Sequence, residues 1–281
     1  MLHTLRLVPV AWPTTDGGSA TRLAAVRIAT WNVNSLKVRL ERVEAWLADV
    51  APDVVCLQET KLADGAFPAL AFQALGYESV HHGEGRWNGV AILSRVGIED
   101  PMNGFGPERS DPEARLLWAT CGGVRVASIY VPNGRALDHE HYQFKLAWLA
   151  DLRQRLVTSE DPSEPVIVAG DFNIAPTDED VWDPRKFVDA THTSQAERDA
   201  LAALEAWGLV DTFRMKQPEP RLYSWWDYRA GHFHKHEGMR IDLVLASRSV
   251  ADRVTFATID RNARKGQQPS DHAPVVVDLA D

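Results

Sequence analysis

Short apolar runs that stop at carboxylate, amide or imidazole side chains recur from residue 26 to the end of this 281-residue chain. Each run has the length of a strand, and helical stripes separate one from the next. Strands of a sheet end along shared edges, so polar groups at the run ends can meet at one place. The run ends are Thr30-Trp31-Asn32-Val33-Asn34, Gln58-Glu59-Thr60-Lys61, Tyr130-Val131-Pro132-Asn133-Gly134, Gly170-Asp171-Phe172-Asn173, Arg240-Ile241-Asp242 and Ser270-Asp271-His272. Carboxylate and amide oxygens suit a hard ion of the Mg²⁺ or Mn²⁺ type, and an imidazole beside them suits a phosphate. The pattern reads as a metal-assisted phosphodiesterase.

The runs define the elements. Val26–Trp31 reads as a strand; Leu36, Leu40, Val43 and Leu47 then recur at helical spacing through Asp49, and Pro52 closes that helix. Val54–Leu57 is a continuous apolar strand buried on both faces. Val90–Leu93, Leu116–Cys121 and Val124–Val131 follow, the last two joined by a Gly122-Gly123 hairpin turn. Leu149, Leu152 and Leu156 mark a helix over Tyr142–Val157, and Val166–Ala169 is another buried strand. Ser194 and Glu197 form a capping box for a helix that stops at Gly208. Leu243–Leu245, Val254–Ile259 and Pro274–Leu279 are the last strands. Interleaving without a linker predicts one α/β domain over residues 26–281, with mixed sheets between helices.

Charge and cysteine content bound the function. The net charge of −9, from 30 basic and 39 acidic residues, disfavours a broad polyanion-binding surface but leaves room for a local basic rim. Cys56 and Cys121 both lie in strand-like runs, as buried thiols of a reducing compartment would. No apolar stretch approaches the ~20 residues of a membrane span. Residues 1–25 carry one acid, Asp16, among threonines, Gly17-Gly18 and prolines; a loose extension is expected there. A transit peptide is the alternative, since Arg6 and Arg22 sit in a hydroxyl-rich, acid-poor stretch.

Each motif admits a functional and a plain reading. Asp171 after its strand can deprotonate or orient water, with Asn173 holding that water or a phosphate oxygen; Gly, Asp and Asn are also ordinary turn residues. Glu59 can ligate a metal and Lys61 can set its carboxylate, or both can be solvated. Asn32 and Asn34 share a face by period two, yet Asn34 equally suits a helix cap. His272 beside Asp271 can donate to phosphate, with Asp242 orienting it. Tyr130 and Asn133 can cradle the same group, or be a strand tyrosine and its turn. His232, His234 and His236 resemble a metal tract but sit in a glycine-bounded loop that suits solvent. Trp225-Trp226-Asp227-Tyr228-Arg229 can stack on bases or pack in the core.

Taken together and in order, these phrases resemble the exonuclease III class of abasic-site endonucleases, within the endonuclease/exonuclease/phosphatase superfamily. The matching phrases also include Asn88-Gly89-Val90-Ala91-Ile92, Ile174-Ala175-Pro176 and Pro269-Ser270-Asp271-His272-Ala273-Pro274, and they span about residue 27 to the C-terminus. The Gly-Asp-Phe-Asn and Ser-Asp-His elements mark the superfamily. The Gln-Glu-Thr-Lys and Trp-Trp-Asp-Tyr-Arg phrases point to the exonuclease III branch. The resemblance implies a DNase I-like four-layer α/β sandwich, two mixed sheets flanked by helices. It implies Mg²⁺, with Mn²⁺ as substitute, on Asn32, Glu59 and Asp271, with Asn34 shaping the site. In some family descriptions Asp171, Asn173 and His272 also touch metal.

The roles carried over are water activation for Asp171 and Asn173, a phosphate contact for His272 held by Asp242, and a phosphate cradle from Tyr130 and Asn133. Lys61 would bind on the substrate side of Glu59, and Trp225 and Trp226 would line the abasic-sugar pocket. The implied substrate is double-stranded DNA with abasic or blocked 3′ ends, cut by a cytoplasmic monomer with no membrane partner. Lys37 stands where many members have arginine, and the segment 177–188 is too variable to read. Two rivals remain at this point. One is a less selective or RNA-acting phosphodiesterase; the other is a non-catalytic nucleic-acid-binding regulator.

Overall fold

A computed structural model describes residues 26–106 and 113–280; the expected N-terminal extension lies outside them. The strands, in chain order, are β1 Val26–Asn32, β2 Val54–Gln58, β3 Glu78–His82, β4 Val90–Ser94, β5 Glu99–Asn103, β6 Leu116–Cys121, β7 Val124–Tyr130, β8 Val166–Asp171, β9 Leu209–Asp211, β10 Asp242–Ser247, β11 Val254–Ile259 and β12 Val275–Leu279. The main helices are α1 Leu36–Val50, α2 Ala69–Ala74, α3 Glu140–Ser159 and α4 Gln195–Trp207. Two six-stranded sheets result, ordered β11-β12-β1-β2-β4-β3 and β5-β6-β7-β8-β10-β9.

Each sheet has one parallel pair at its centre, β1 with β2 and β7 with β8, and antiparallel neighbours elsewhere. A parallel pair needs a long crossover, which α1 and α3 supply. Period-two alternation then sorts the side chains into layers. Ile28, Val54, Cys56, Val126, Ile167, Ala169, Val244 and Val275 face the other sheet. Ala29, Trp31, Val55 and Leu57 pack on α1, while Ile129, Val168, Leu243 and Leu245 pack under α3 and α4. The order is helix, sheet, sheet, helix, as the sequence predicts.

The same alternation places the site. Continuing each inward-facing series to the end of its strand gives Asn32 on β1, Gln58 on β2, Tyr130 on β7, Asp171 on β8 and Asp242 at the start of β10. The apolar layer between the sheets thus turns polar at one rim. Thr30, Gln58 and Ser128 begin that change: Gln58 Nε2 donates to Thr30 Oγ1 at 3.0 Å and Ser128 Oγ at 3.2 Å. Gly170 lets β7 and β8 close, since a Cβ there would lie 1.9 Å from the Ile129 carbonyl oxygen.

The predicted strands and helices all form, mostly longer by a few residues. Gly122 and Gly123 both have positive φ, 56° and 79°, in the β6–β7 turn. The Ser194–Glu197 capping box has both arms, and Gly208 ends α4. The edge strands β3, β5 and β9 carry no alternation in sequence; Glu99–Asn103 is largely exposed and contains Pro101. Asn34 is not the cap of α1, because Ser35 occupies that position without a side-chain cap bond.

Candidate active site

Tyr130, Asp171 and Asp242 form one row across the second sheet: Tyr130 pairs with Asp171 between β7 and β8, and Asp171 pairs with Asp242 between β8 and β10. From the first sheet, Asn32 ends β1 beside Gln58, and Glu59 follows one residue on. The loop before β12 brings Ser270, Asp271 and His272 over the gap; Ser270 Oγ donates to the Asn32 carbonyl at 2.7 Å. Asn34, Glu59, Lys61 and Asn173 all have positive φ, between 43° and 53°. Left-handed backbone is unfavourable for Glu and Lys, and such residues concentrate where the fold forces a side chain into a site.

Hydrogen bonds tie the two sheets together. Asn32 Nδ2 donates to Glu59 Oε1 at 2.8 Å and to Asp171 Oδ2 at 3.0 Å, while its Oδ1 accepts from Asn34 N at 2.9 Å. Lys61 Nζ reaches Glu59 Oε2 at 2.8 Å and Asn34 Oδ1 at 2.6 Å. Asp271 accepts from Asn34 Nδ2 at 2.9 Å and Trp225 Nε1 at 3.1 Å. His272 Nδ1 sits 2.9 Å from Asp242 Oδ2, which also accepts from Ser224 Oγ at 2.6 Å. His272 Nε2 points at Asp171 Oδ2, 3.8 Å away.

Electrostatics divide the labour. Burial pushes the Asp171 carboxyl up to about 7; His272 pulls against this and Asp242 adds to it. Burial also opposes a charge on His272, but Asp242, then Asp171 and Asp271, outweigh it and lift the imidazole to about 10. A protonated His272 presents Nε2–H, a donor for an anion and not a ligand for a cation. Burial, then the Glu59 charge, hold the Tyr130 phenol well above its usual value, so it stays a neutral donor. The Arg115 guanidinium lies 4.6 Å above the Tyr130 ring.

Ligand-capable atoms of Glu59, Asp171 and His272 lie within 4.8 Å of one another. With His272 charged, the oxygens of Glu59 and Asp171 remain, a hard donor pair that fits a Mg²⁺-type ion completed by water and substrate oxygens. Asn32 and Asp271, the other expected ligands, border this pair. The amide NH₂ of Asn32 faces the carboxylates, and both Asp271 oxygens hold N–H partners. Both residues belong to the hydrogen-bonded cluster around Glu59 and carry oxygens of the same hard type.

Asn173 extends the cluster. Its backbone N donates to Asp171 Oδ1 at 2.9 Å and its Nδ2 to the Val131 carbonyl at 3.0 Å. Its Oδ1 accepts from Asn133 Nδ2 at 3.1 Å and lies 3.1 Å from His192 Nε2. His192 Nε2 also lies 3.2 Å from Asn133 Nδ2, and burial, then Lys145, pushes the imidazole pKa down to about 3, so the ring is neutral. His192 is a site residue without a sequence signal, since no strand end or carboxylate pattern surrounds Thr191-His192-Thr193.

The aromatic phrase divides by burial. Trp226, expected at the substrate, is fully buried and packs on Tyr223 and Phe233, so it offers no surface to a ligand. Trp225 is half-buried and holds Asp271, while Tyr228 is 50% exposed. The histidine tract forms no metal-ligand group among the described residues: His236 bonds the Arg221 carbonyl at 2.9 Å. No helix among them is long and apolar enough to cross a membrane.

Residues 29–272 match the Endonuclease/Exonuclease/phosphatase family. The chain belongs to that family. Exodeoxyribonuclease III of Haemophilus influenzae is 34% identical over 262 residues, covering 89% of this chain and 98% of the relative. The exodeoxyribonuclease of Bacillus subtilis is 30% identical, with 89% and 98% covered. Among solved structures, a 3′ phosphatase, NExo, from Neisseria bound to a product DNA hairpin superposes with TM-score 0.88 at 40% identity, covering 92% of this chain and 100% of that one. An AP endonuclease from Archaeoglobus fulgidus gives TM-score 0.87 at 37% identity, with 91% and 99% covered. Within the endonuclease/exonuclease/phosphatase family, the chain is thus a nuclease-type hydrolase of the exodeoxyribonuclease III branch.

Proposed function

We propose that the protein is a Mg²⁺-dependent DNA-repair nuclease that hydrolyses the phosphodiester 5′ to an abasic site and also clears blocked 3′ ends of duplex DNA. The observation that carries this reading is the row Tyr130, Asp171 and Asp242 facing Glu59 and His272 across the gap between the sheets. Residues 26–281 would act as one catalytic unit and as a monomer, in the cytoplasm. Held by Glu59 with Asn32 and Asp271, Mg²⁺ (or Mn²⁺) would supply positive charge to the phosphate and the departing 3′ oxygen.

The chain's own groups do the rest. Asp171, held by the Asn173 backbone N–H at 2.9 Å, orients the attacking water and takes its proton. The Asn173 and Asn133 amides orient that water and a phosphate oxygen. His272 donates Nε2–H to another phosphate oxygen, and Asp242 fixes its direction. Tyr130, kept neutral, donates O–H on the same side. Lys61 and Asn34 brace Glu59 and Asp271 at the substrate side. Trp225 holds one wall of the sugar pocket, backed by Trp226.

The test uses purified protein on a duplex with one abasic analogue and on a duplex ending in 3′-phosphate, each with Mg²⁺ and with excess chelator. Incision or end removal that requires the ion is expected. Equal cleavage of an undamaged duplex points to a less selective phosphodiesterase, and no cleavage of either substrate refutes the proposal. The 3′-end arm is included because the Neisseria structure at 40% identity is of a 3′ phosphatase.

A further inference from the structure

Lys145 is a fully buried charged group that the chemistry above leaves unused. It lies on α3 with a fully buried side chain, and its partner Glu197 on α4 is equally buried. Lys145 Nζ donates to Glu197 Oε1, to the Asn173 carbonyl at 2.6 Å and to the Asn133 carbonyl at 3.4 Å. These are the two asparagines whose amides meet at the site. Glu197 is committed to the third member of that cluster: its Oε1 accepts from His192 N at 3.0 Å and lies 2.8 Å from Thr191 Oγ1. Its Oε2 closes the capping box on Ser194 N at 3.1 Å.

One ammonium–carboxylate pair therefore joins three loops that the chain delivers from separate places: the end of β7, the end of β8 and the entry to α4. Gly134 records the tightness of the join. Its φ is +89°, and a Cβ there would lie 2.7 Å from Thr191 Oγ1 and 3.3 Å from Lys145 Cδ. A buried ion pair is a poor route to stability, because desolvation offsets its attraction. Fixing the relative position of three backbones is a use that an apolar pair of the same volume does not serve.

We propose that Lys145 is a positioning residue of the reaction: through the Asn133 and Asn173 carbonyls it sets the Asn133–Asn173–His192 cluster against Asp171. The inference rests on the reading that Asn133 and Asn173 face the scissile phosphate. Loss of Lys145 should lower turnover by disturbing aim, while leaving DNA held by the rest of the surface.

The test pairs Lys145→Met with Glu197→Gln, so that neither charge is left buried alone, and compares this double variant with Leu204→Ala, a core truncation on the same helix. Circular dichroism and thermal melts confirm folding of both. In the double variant kcat should fall at least about ten-fold with KM within about three-fold, and the side-chain amide NMR signals of Asn133 and Asn173 should shift or broaden. The Leu204→Ala protein should melt earlier with kcat and those amide signals unchanged. A folded double variant with wild-type kcat and wild-type amide signals overturns the proposal, as does an equal kcat loss in Leu204→Ala. If the unaltered protein cleaves neither DNA, the functional reading fails separately, and the amide signals alone decide the positioning role.

Discussion

Asp171 and Asp242 stand directly opposite one another in the antiparallel pairing of β8 and β10, with the His272 imidazole between their carboxylates. Like charges facing across a ladder destabilise a sheet, so this pairing is retained at a cost to the fold. One proton on His272 and a raised Asp171 pKa relieve it.

Replacing Asp171 with Asn should reduce turnover by about 10²–10⁴-fold, the range for losing a positioned base. It should also raise stability in metal-free buffer. The sign follows from the raised pKa: the folded state favours protonated Asp171, a contribution present below the unfolded value near 3.8 and lost as pH rises through about 7. The melting-temperature gain of Asp171→Asn should therefore grow from about pH 5 and level off above about pH 7. A gain that shrinks over that interval contradicts the account.

Asp242→Asn removes the carboxylate that contributes most to lifting His272 to about 10. The alkaline limb of the pH–rate profile should move to lower pH, and kcat should drop by about 10²-fold or more. A profile unshifted on its alkaline side shows that His272 is not the donor.

His81 predicts an acid weakness outside the centre. Its Nε2 lies 2.8 Å from Thr60 Oγ1, between Glu59 and Lys61, and its Nδ1 lies 2.9 Å from Asp64 Oδ1. Burial lowers its pKa to about 4, against the pull of Asp64. A lowered histidine contributes stability above its unfolded value near 6.5, lost as pH falls toward about 4. Urea melts across that interval should show the loss, and His81→Gln should flatten it.

Asp180 is fully buried; it accepts from Arg240 Nε at 2.7 Å, Thr177 Oγ1 at 2.9 Å and the Arg214 guanidinium. Asp180→Ala should cost about 3–5 kcal/mol in denaturant titrations, because Arg240 is then buried with one carboxylate partner fewer. A loss under about 1 kcal/mol would mean that Asp211 alone satisfies Arg240.

The strand ends were legible because period two is local: Asp171 lies two residues after inward-facing Ala169, Asp242 two before Val244, and Asn32 four after Ile28. The capping box at Ser194 and the hairpin at Gly122-Gly123 were legible for the same reason, since their geometry is set within four residues. Edge strands β3, β5 and β9 were not, as solvent removes the alternation that marks a buried strand. The aromatic phrase misled at Trp226, where a residue type suited to stacking is just as suited to a core.

The sequence by itself determined the layers, the strand ends and the kind of chemistry at them, because residue type and alternation act over a few positions. Only the tertiary structure decided which ends meet. It set Asp171 opposite Asp242 and brought in His192 from a loop with no pattern. It tied Asn32 to Glu59 and Asp171, and Asp271 to Asn34 and Trp225. It also buried Lys145 where three loops converge. Those outcomes depend on strand register and on desolvation by distant neighbours, which no local stretch of sequence encodes.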